Sequence, residues 1–265
     1  MKNHLILLLV SFLHAAAFAQ QFAWEPQTSG TTSALEAVTF VNPNQGWIVG
    51  GNKGVPWQMM TSGISDGLLC VAFADANTGW AGGWSGKLLK TTDGGNTWAL
   101  QNSGTTSSLY SMFFLNASTG WAVGSNAILR TTNGGNTWLK ASGSYPWLYS
   151  VFFVDANTGW VSGMNGAILK TTNGGANWTA QTSGVTGTLY GISFVDANTG
   201  WAVGSAGTVL KTTNGGATWT PQTSNTTNDM ESVTFVDANH GWAAGDRATI
   251  IRTTDGGTTW TMKTE

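Results

Sequence analysis

Short apolar runs alternate with clusters of Asn, Asp, Gly and Ser along most of the chain, and no segment sustains the apolar period of about 3.6 residues that marks a helix. One repeat, LYSVFFVDANTGWVSGMNGAILKTTNGGANWTAQTSG, shows the pattern in full: four runs rich in β-branched and aromatic residues, each bounded by turn formers. Four strands per repeat are predicted. Two tryptophan series mark the period. Gly-Trp pairs place Trp47, Trp80, Trp121, Trp160, Trp201 and Trp242, and a second indole recurs at Trp24, Trp57, Trp98, Trp138, Trp178, Trp219 and Trp260. The second series is spaced 33, 41, 40, 40, 41 and 41 residues, yet the step from each member to the next Gly-Trp is always 22 or 23, so about eight residues are missing between Trp47 and Trp57. A fixed period of about 40 residues is the mark of a propeller or solenoid. The expected fold is all-β: a six-bladed β-propeller of four-stranded antiparallel blades, with the first blade incomplete.

Residues 1–19 depart from this pattern. Lys2, an apolar run from Leu5 to Leu13 and the small-residue site Ala17-Phe18-Ala19 read as a secretory signal peptide, leaving residues 20–265 as the propeller. The run is too short to span a bilayer, and no later stretch reaches the roughly 20 apolar residues a membrane helix needs. A secreted or periplasmic, extracytoplasmic product without membrane insertion is expected. WEPQTSG near the expected mature N-terminus copies a fourth strand, while WTMKTE supplies the last repeat with its own. Either the first closes the last blade and the second frays, or the chain is a piece of a longer array.

Charge and cysteine content remove several functions. Without Lys2 the chain holds ten basic and thirteen acidic residues, a net charge of −3, and no basic run collects phosphates, so nucleic acid is not an expected partner. Cys70 is the only cysteine, which excludes an internal disulfide and a Cys-based metal site. Its place among the small residues Ala37, Cys70, Ser111, Ser150, Gly191 and Ser232, third in each inner strand, predicts a buried, inert thiol. No metal site or cofactor is expected.

In the motif T-x-D/N-G-G-x-x-W, the Asp or Asn (residues 93, 133, 173, 214 and 255) can accept N–H groups of its own turn while the glycines supply positive φ. TTDGGNTW, TTNGGNTW and TTDGGTTW resemble the Asp-box (BNR) repeat. The wider unit, L-x-S-V-x-F-V-D-A-N-T-G-W-A-V-G-x-x-G-x-I-L-K-T-T-N-G-G-x-T-W, resembles the photosystem II stability/assembly factor-like propellers over almost the whole mature chain. That resemblance implies a propeller and a role in assembling a membrane complex. Asp-box blades also occur in sialidases, xyloglucan-cleaving glycosidases and sortilin-type receptors, so the repeat specifies a fold and leaves the activity open.

Residues that the repeat does not require mark a candidate site. Thirteen of fifteen tryptophans belong to the two series; Trp84 and Trp147 do not. The loop into a blade's first strand and the loop between its second and third strands leave on one side, here called the top face, because consecutive strands are antiparallel. The second position of each inner strand lies there: Glu36, Leu69, Tyr110, Tyr149, Tyr190 and Glu231. With Tyr145 in the SYPW loop, the expected ligand-binding set is Trp84, Tyr110, Tyr145, Trp147, Tyr149, Tyr190, Glu36 and Glu231, with Asp229 and Arg247 nearby. Aromatic planes beside carboxylates suit a protein or glycan partner, and the alternative is that the tyrosines only plug the axis.

The expected function is a non-catalytic interaction and assembly scaffold, and no catalytic residue is assigned. The alternative is a glycosidase using Glu36 and Glu231, which ring closure would make neighbours. A sialidase-like arginine cluster is absent, since Arg130 and Arg252 share a repeat position with Lys90, Lys170 and Lys211 that reads as a solvated strand face. Asp75, Asp155, Asp196 and Asp237 recur as turn formers, and His240 is the only histidine after the leader.

Overall fold

A computed structural model describes residues 35–42, 45–50 and 62–263. The expected leader, Trp24 with its WEPQTSG segment, and Trp57 lie outside them. The first sheet pairs β1 (Leu35–Asn42) with β2 (Gln45–Gly50). The second holds β3 (Leu68–Phe73), β4 (Gly79–Gly83), β5 (Leu88–Thr91) and β6 (Ala99–Gln101). The third holds β7 (Leu109–Phe114), β8 (Gly120–Gly124), β9 (Ala127–Thr131) and β10 (Leu139–Lys140). The fourth holds β11 (Leu148–Phe153), β12 (Gly159–Gly163), β13 (Ile168–Thr171) and β14 (Thr179–Gln181). The fifth holds β15 (Leu189–Phe194), β16 (Gly200–Gly204), β17 (Val209–Thr212) and β18 (Thr220–Pro221). The sixth holds β19 (Met230–Phe235), β20 (Gly241–Gly245), β21 (Thr249–Thr253) and β22 (Thr261–Met262). Every pairing is antiparallel, which gives five four-stranded blades and a two-stranded first one among the described residues. Helical geometry there is confined to short 3-10 turns at Trp84–Gly86, Met164–Gly166 and Ser205–Gly207, and no helix is long and apolar enough to cross a membrane.

Successive blades are locked by one repeated interaction. The Gly-Trp indole of each of the first five sheets stacks on the last phenylalanine of the next inner strand: Trp47 on Phe73, Trp80 on Phe114, Trp121 on Phe153, Trp160 on Phe194 and Trp201 on Phe235, with ring centroids 3.4–3.6 Å apart. Its N–H donates to a glycine carbonyl of the next Asp-box turn, as from Trp121 to Gly174 at 2.8 Å and from Trp201 to Gly256 at 3.1 Å. The Asp-box indole meets the same phenylalanine edge-on at 5.8–6.0 Å. Each joint therefore combines aromatic stacking, worth about 0.5–1.5 kcal/mol beyond area burial, with an indole hydrogen bond that is buried at every joint but the first.

The basic repeat position read as a solvated face does more than that. Lys90, Lys170 and Lys211 sit over the indoles of Trp80, Trp160 and Trp201, their Nζ atoms 5.1–5.5 Å from the ring centroids, and Arg252 covers Trp242 at 5.6 Å. These cations face the indole across paired strands, as in the register of Trp80 with Lys90, so they gain a cation–π contact.

Packing of inner strands runs from β1 to β3, β7, β11, β15 and β19, and each second strand packs on the next inner strand. No comparable packing joins β19 or β20 to β1 among the described residues. Trp242 accordingly keeps part of its surface exposed, whereas Trp80, Trp121, Trp160 and Trp201 are fully buried.

The Asp-box turn forms as its chemistry predicts. Asp93 Oδ1 accepts the N–H of Thr97 at 2.9 Å and the hydroxyl of Thr91 at 2.8 Å, while Oδ2 accepts the Thr97 hydroxyl at 2.6 Å. Gly94 and Gly95 take φ of +72° and +91°. Where Asn133 replaces the acid, Oδ1 still accepts Thr137 N–H and Nδ2 donates to the Thr137 hydroxyl. These bonds, led by the Thr97 and Thr259 hydroxyls, hold the Asp93 and Asp255 carboxyls down at about 2. A carboxyl lowered on folding contributes stability that is present in full above the unfolded value near 4 and is lost as the pH falls toward 2. The double variant Asp93→Asn/Asp255→Asn is therefore expected to keep its melting temperature at pH 7 and to show a shallower decline between pH 4 and 2. An unchanged acid limb in thermal melts across that range would contradict this.

Candidate functional site

Three repeat positions meet on the top face. The first is the residue before each inner strand: Gly67, Ser108, Trp147, Thr188 and Asp229. The second is the next residue but one, in the strand itself, and the third comes directly after the glycine that ends the second strand: Trp84, Ser125, Met164, Ser205 and Asp246. In each complete blade the carbonyl of the first accepts the N–H of the third, from Gly67 and Trp84 at 3.1 Å to Trp147 and Met164 at 2.9 Å. The intervening glycine exists because these backbones nearly touch: a Cβ on Gly163 would lie 2.2 Å from the Trp147 carbonyl oxygen. Backbone atoms alone hold this geometry, so the side chains at the three positions are free to vary.

The second position is bulged. In the fourth blade the register passes from Leu148 opposite Gly163 directly to Ser150 opposite Ser162, leaving Tyr149 without a cross-strand partner. The same shift occurs at Glu36, Leu69, Tyr110, Tyr190 and Glu231. A bulge re-aims the unpaired side chain, here at the same place in each blade. The residue after it must be small because neighbouring inner strands come close: Ser111 and Ser150 hydroxyls accept the N–H groups of Val151 and Ile192 in the next blade. Cys70, at the same position, is buried, and burial pushes its thiol up to about 12, which keeps it protonated and inert.

These placements assemble most of the expected aromatic residues into one run. Tyr110 and Tyr149 lie 5.3 Å apart, centroid to centroid, and Tyr149 and Tyr190 5.4 Å apart. Trp84 meets Tyr110 edge-on at 6.2 Å, and Trp147 approaches Tyr110 at 6.1 Å. The Ser125 hydroxyl donates to the Tyr110 phenol at 2.9 Å, and Trp147 pairs through its backbone with Ser125 across the blade boundary. Trp84 and Trp147 remain 48% and 49% exposed. Tyr145 stands apart: its ring packs on the core between the third and fourth blades, and its phenol donates to the Ser142 carbonyl.

Carboxylates gather where the aromatic run ends. Burial raises the pKa of Tyr190, and the negative charges of Glu231, Asp229 and Asp246 raise it further. Tyr149 is raised by burial first, then by Tyr110, Tyr190 and Glu231. Asp229 is anchored by an Oδ1 that accepts the N–H of Ala206 at 2.8 Å. Glu36 is exposed at the bulge of β1, whose packed inner neighbour is β3. The inter-strand packing that would bring Glu36 beside Glu231 is not formed by the described residues. Asp246 and Met164 do not stand out by residue type, although counting five residues from each Gly-Trp glycine aligns them with Trp84.

Other reactive groups serve turns. Asp75, Asp155, Asp196 and Asp237 each accept two N–H groups of their own turn at 2.7–2.8 Å, and His240 Nδ1 lies 2.8 Å from Asp237 Oδ2. No group of three or more His, Cys, Asp or Glu residues is placed to hold a metal ion among the described residues.

No curated protein matches the chain. Among solved structures, one described as YCF48 bound to D1 peptide is 20% identical, with a TM-score of 0.57 over 81% of this chain and 86% of that one. An ancestral GH74 enzyme is 18% identical, with a TM-score of 0.70, and the match covers 91% of this chain but only 40% of the enzyme. The structure of U3-55K reaches a TM-score of 0.74 at 10% identity, covering 89% of this chain and 82% of that one. At such identities the likeness is one of fold. The family model described as photosynthesis system II assembly factor YCF48 matches residues 52–144, 143–220 and 181–262, and by that match, which spans most of the sequence, the chain belongs to this family.

Proposed function

We propose that the chain is a non-catalytic scaffold, working outside the cytoplasm, that holds a polypeptide partner on its top face. One observation carries the reading: Trp84, Tyr110, Trp147, Tyr149 and Tyr190 form an unbroken aromatic run at positions where the repeat itself accepts Gly, Ser, Thr or Leu. Exposed aromatic surface held by rigid backbone is what binding hot spots are made of. Family membership and the neighbour solved with a D1 peptide support a polypeptide over other ligands. The hydrolytic alternative requires two carboxyls about 5–9.5 Å apart, and the fold shared with GH74 enzymes carries no activity by itself.

Peptide and glycan arrays screened side by side with the mature protein test the proposal. Trp147→Ala is expected to lower peptide binding at least tenfold, as loss of an aromatic hot spot worth about 2 kcal/mol would, with the melting temperature lowered by no more than about 4 °C because half of the indole already faces solvent. Binding to glycans alone, or peptide binding indifferent to Trp147, would overturn it. Mass spectrometry of the protein from the cell envelope and medium, finding a mature N-terminus at Gln20, would support the extracytoplasmic part of the proposal.

A further inference from the structure

We propose that the top face selects its partner by charge: it takes an extended polypeptide segment with lysines or arginines at one end and proline or aliphatic side chains along the rest. This inference rests on the scaffold reading above and narrows it to a class of partner.

Identical places in different blades carry side chains of different charge. The three top-face positions hold Gly67, Leu69 and Trp84 in the second blade, with no charge among them. In the sixth they hold Asp229, Glu231 and Asp246, a carboxylate at every one. The backbone bond is the same in both, from Trp84 N–H to the Gly67 carbonyl at 3.1 Å and from Asp246 N–H to the Asp229 carbonyl at 2.9 Å. The shared backbone bond therefore does not demand the acids, although Asp229 also accepts the Ala206 N–H at 2.8 Å. Asp66 beside the second blade is offset by Lys87 at 3.6 Å, and Arg247 is the one cation adjoining the sixth blade's acids in sequence. From the second blade to the fifth the three positions are thus neutral and aromatic, and the sixth is negative; Glu36 of the first blade is a single carboxylate beside the neutral second blade, against three in the sixth.

Its length suits a short extended chain. Ring-to-ring steps of 6.2, 5.3 and 5.4 Å lead from Trp84 through Tyr110 and Tyr149 to Tyr190, a path matching about five residues at roughly 3.3 Å each. Proline and aliphatic side chains stack on such ring faces, and a basic residue beyond them would reach the carboxylates. Complementary charge sets orientation and the rate of encounter. An acidic peptide would be repelled at the same end, and a neutral glycan would gain nothing from it.

The probes are three synthetic peptides bearing the same fluorophore: Lys-Arg-Pro-Leu-Pro-Pro-Leu-Pro, a version with Gln-Gln in place of Lys-Arg, and one with Glu-Glu. Fluorescence anisotropy with the full mature chain is expected to rank them cationic, neutral, acidic, with at least tenfold between the first two at about 50 mM NaCl and a much smaller gap at about 500 mM. In the triple variant Asp229→Asn/Glu231→Gln/Asp246→Asn the preference for the cationic peptide over the neutral one is expected to vanish; Asn at 229 retains an acceptor for Ala206 N–H. The wild-type ranking and its salt dependence decide the matter even if the variant fails to fold. Equal affinity for all three peptides, or preference for the acidic one, overturns the charge rule and leaves the scaffold reading intact. Binding of none of them overturns the charge rule, and the scaffold reading falls with it if the peptide array shows no dependence on Trp147.

Discussion

Trp121→Ala is expected to lower the unfolding free energy by about 3–5 kcal/mol, while Trp242→Ala costs about 1 kcal/mol or less. The two residues share a place in the repeat and differ in whether another blade packs against them among the described residues. Trp121 is fully buried, stacks on Phe153 at 3.5 Å and donates to Gly174 at 2.8 Å. Removing it empties a cavity at the joint between the third and fourth blades and leaves the Gly174 carbonyl without its donor, a second cost of about 1–3 kcal/mol if water cannot reach it. Trp242 has Arg252 over its ring and no packed blade beyond it among the described residues. Urea denaturation of both variants, monitored by tryptophan fluorescence and circular dichroism, measures the difference. Equal losses would mean that the indoles act within their own sheets.

Gly163→Ala is expected to cost about 2–3 kcal/mol, the range of an overpacked site, and also to reduce partner binding as Trp147→Ala does. The added methyl would meet the Trp147 carbonyl oxygen at 2.2 Å and the Leu148 Cα at 3.0 Å. Both are backbone atoms and cannot rotate away, so the segment carrying Trp147 must shift. Gly184→Ala is the control. Its φ is +79°, but nothing lies within 4 Å of the added atom, so only the left-handed backbone is penalised, by about 1–2 kcal/mol, and binding is expected to persist. Thermal melts combined with peptide titration of both variants separate the two effects. Retained binding in Gly163→Ala would show that the indole does not depend on this backbone contact for its position.

Much of this architecture is legible in the residues. The two tryptophan series define the blades, the Asp-box turns close as their Asp or Asn and glycines imply, and Trp84 and Trp147 stand out because they fall outside the repeat. The partner of each Gly-Trp indole is harder to read. Its acceptor lies 53–55 residues further on for the fully buried members, in the next repeat, and near-identical repeats cannot distinguish a partner within a blade from its copy one blade on. The bulge is hidden for another reason. In LYSVFF the apolar pattern is dense enough to fit either register, and the choice is made by the close backbone contact at the glycine of the paired strand. Tyr145 shows the limit of composition: its neighbour Trp147 belongs to the aromatic run, while its own ring is used in the core. The carboxylate pair expected from ring closure depends on packing between the first and last sheets, which the repeat pattern does not encode.

Because the Gly-Trp indoles of the first five sheets find their partners in the next repeat, every internal joint is built from interchangeable halves. Excising one whole repeat would bring the indole of Trp121 onto Phe194 and the Gly215 carbonyl, which present the same surfaces as Phe153 and Gly174. Gain or loss of a repeat by slippage thus leaves the joints intact, whereas an exchange that cuts within a repeat breaks them. The top face obeys a different arithmetic. Each added or lost repeat inserts or deletes one rung of three side chains, so copy number alone can lengthen, shorten or recharge the surface offered to a partner.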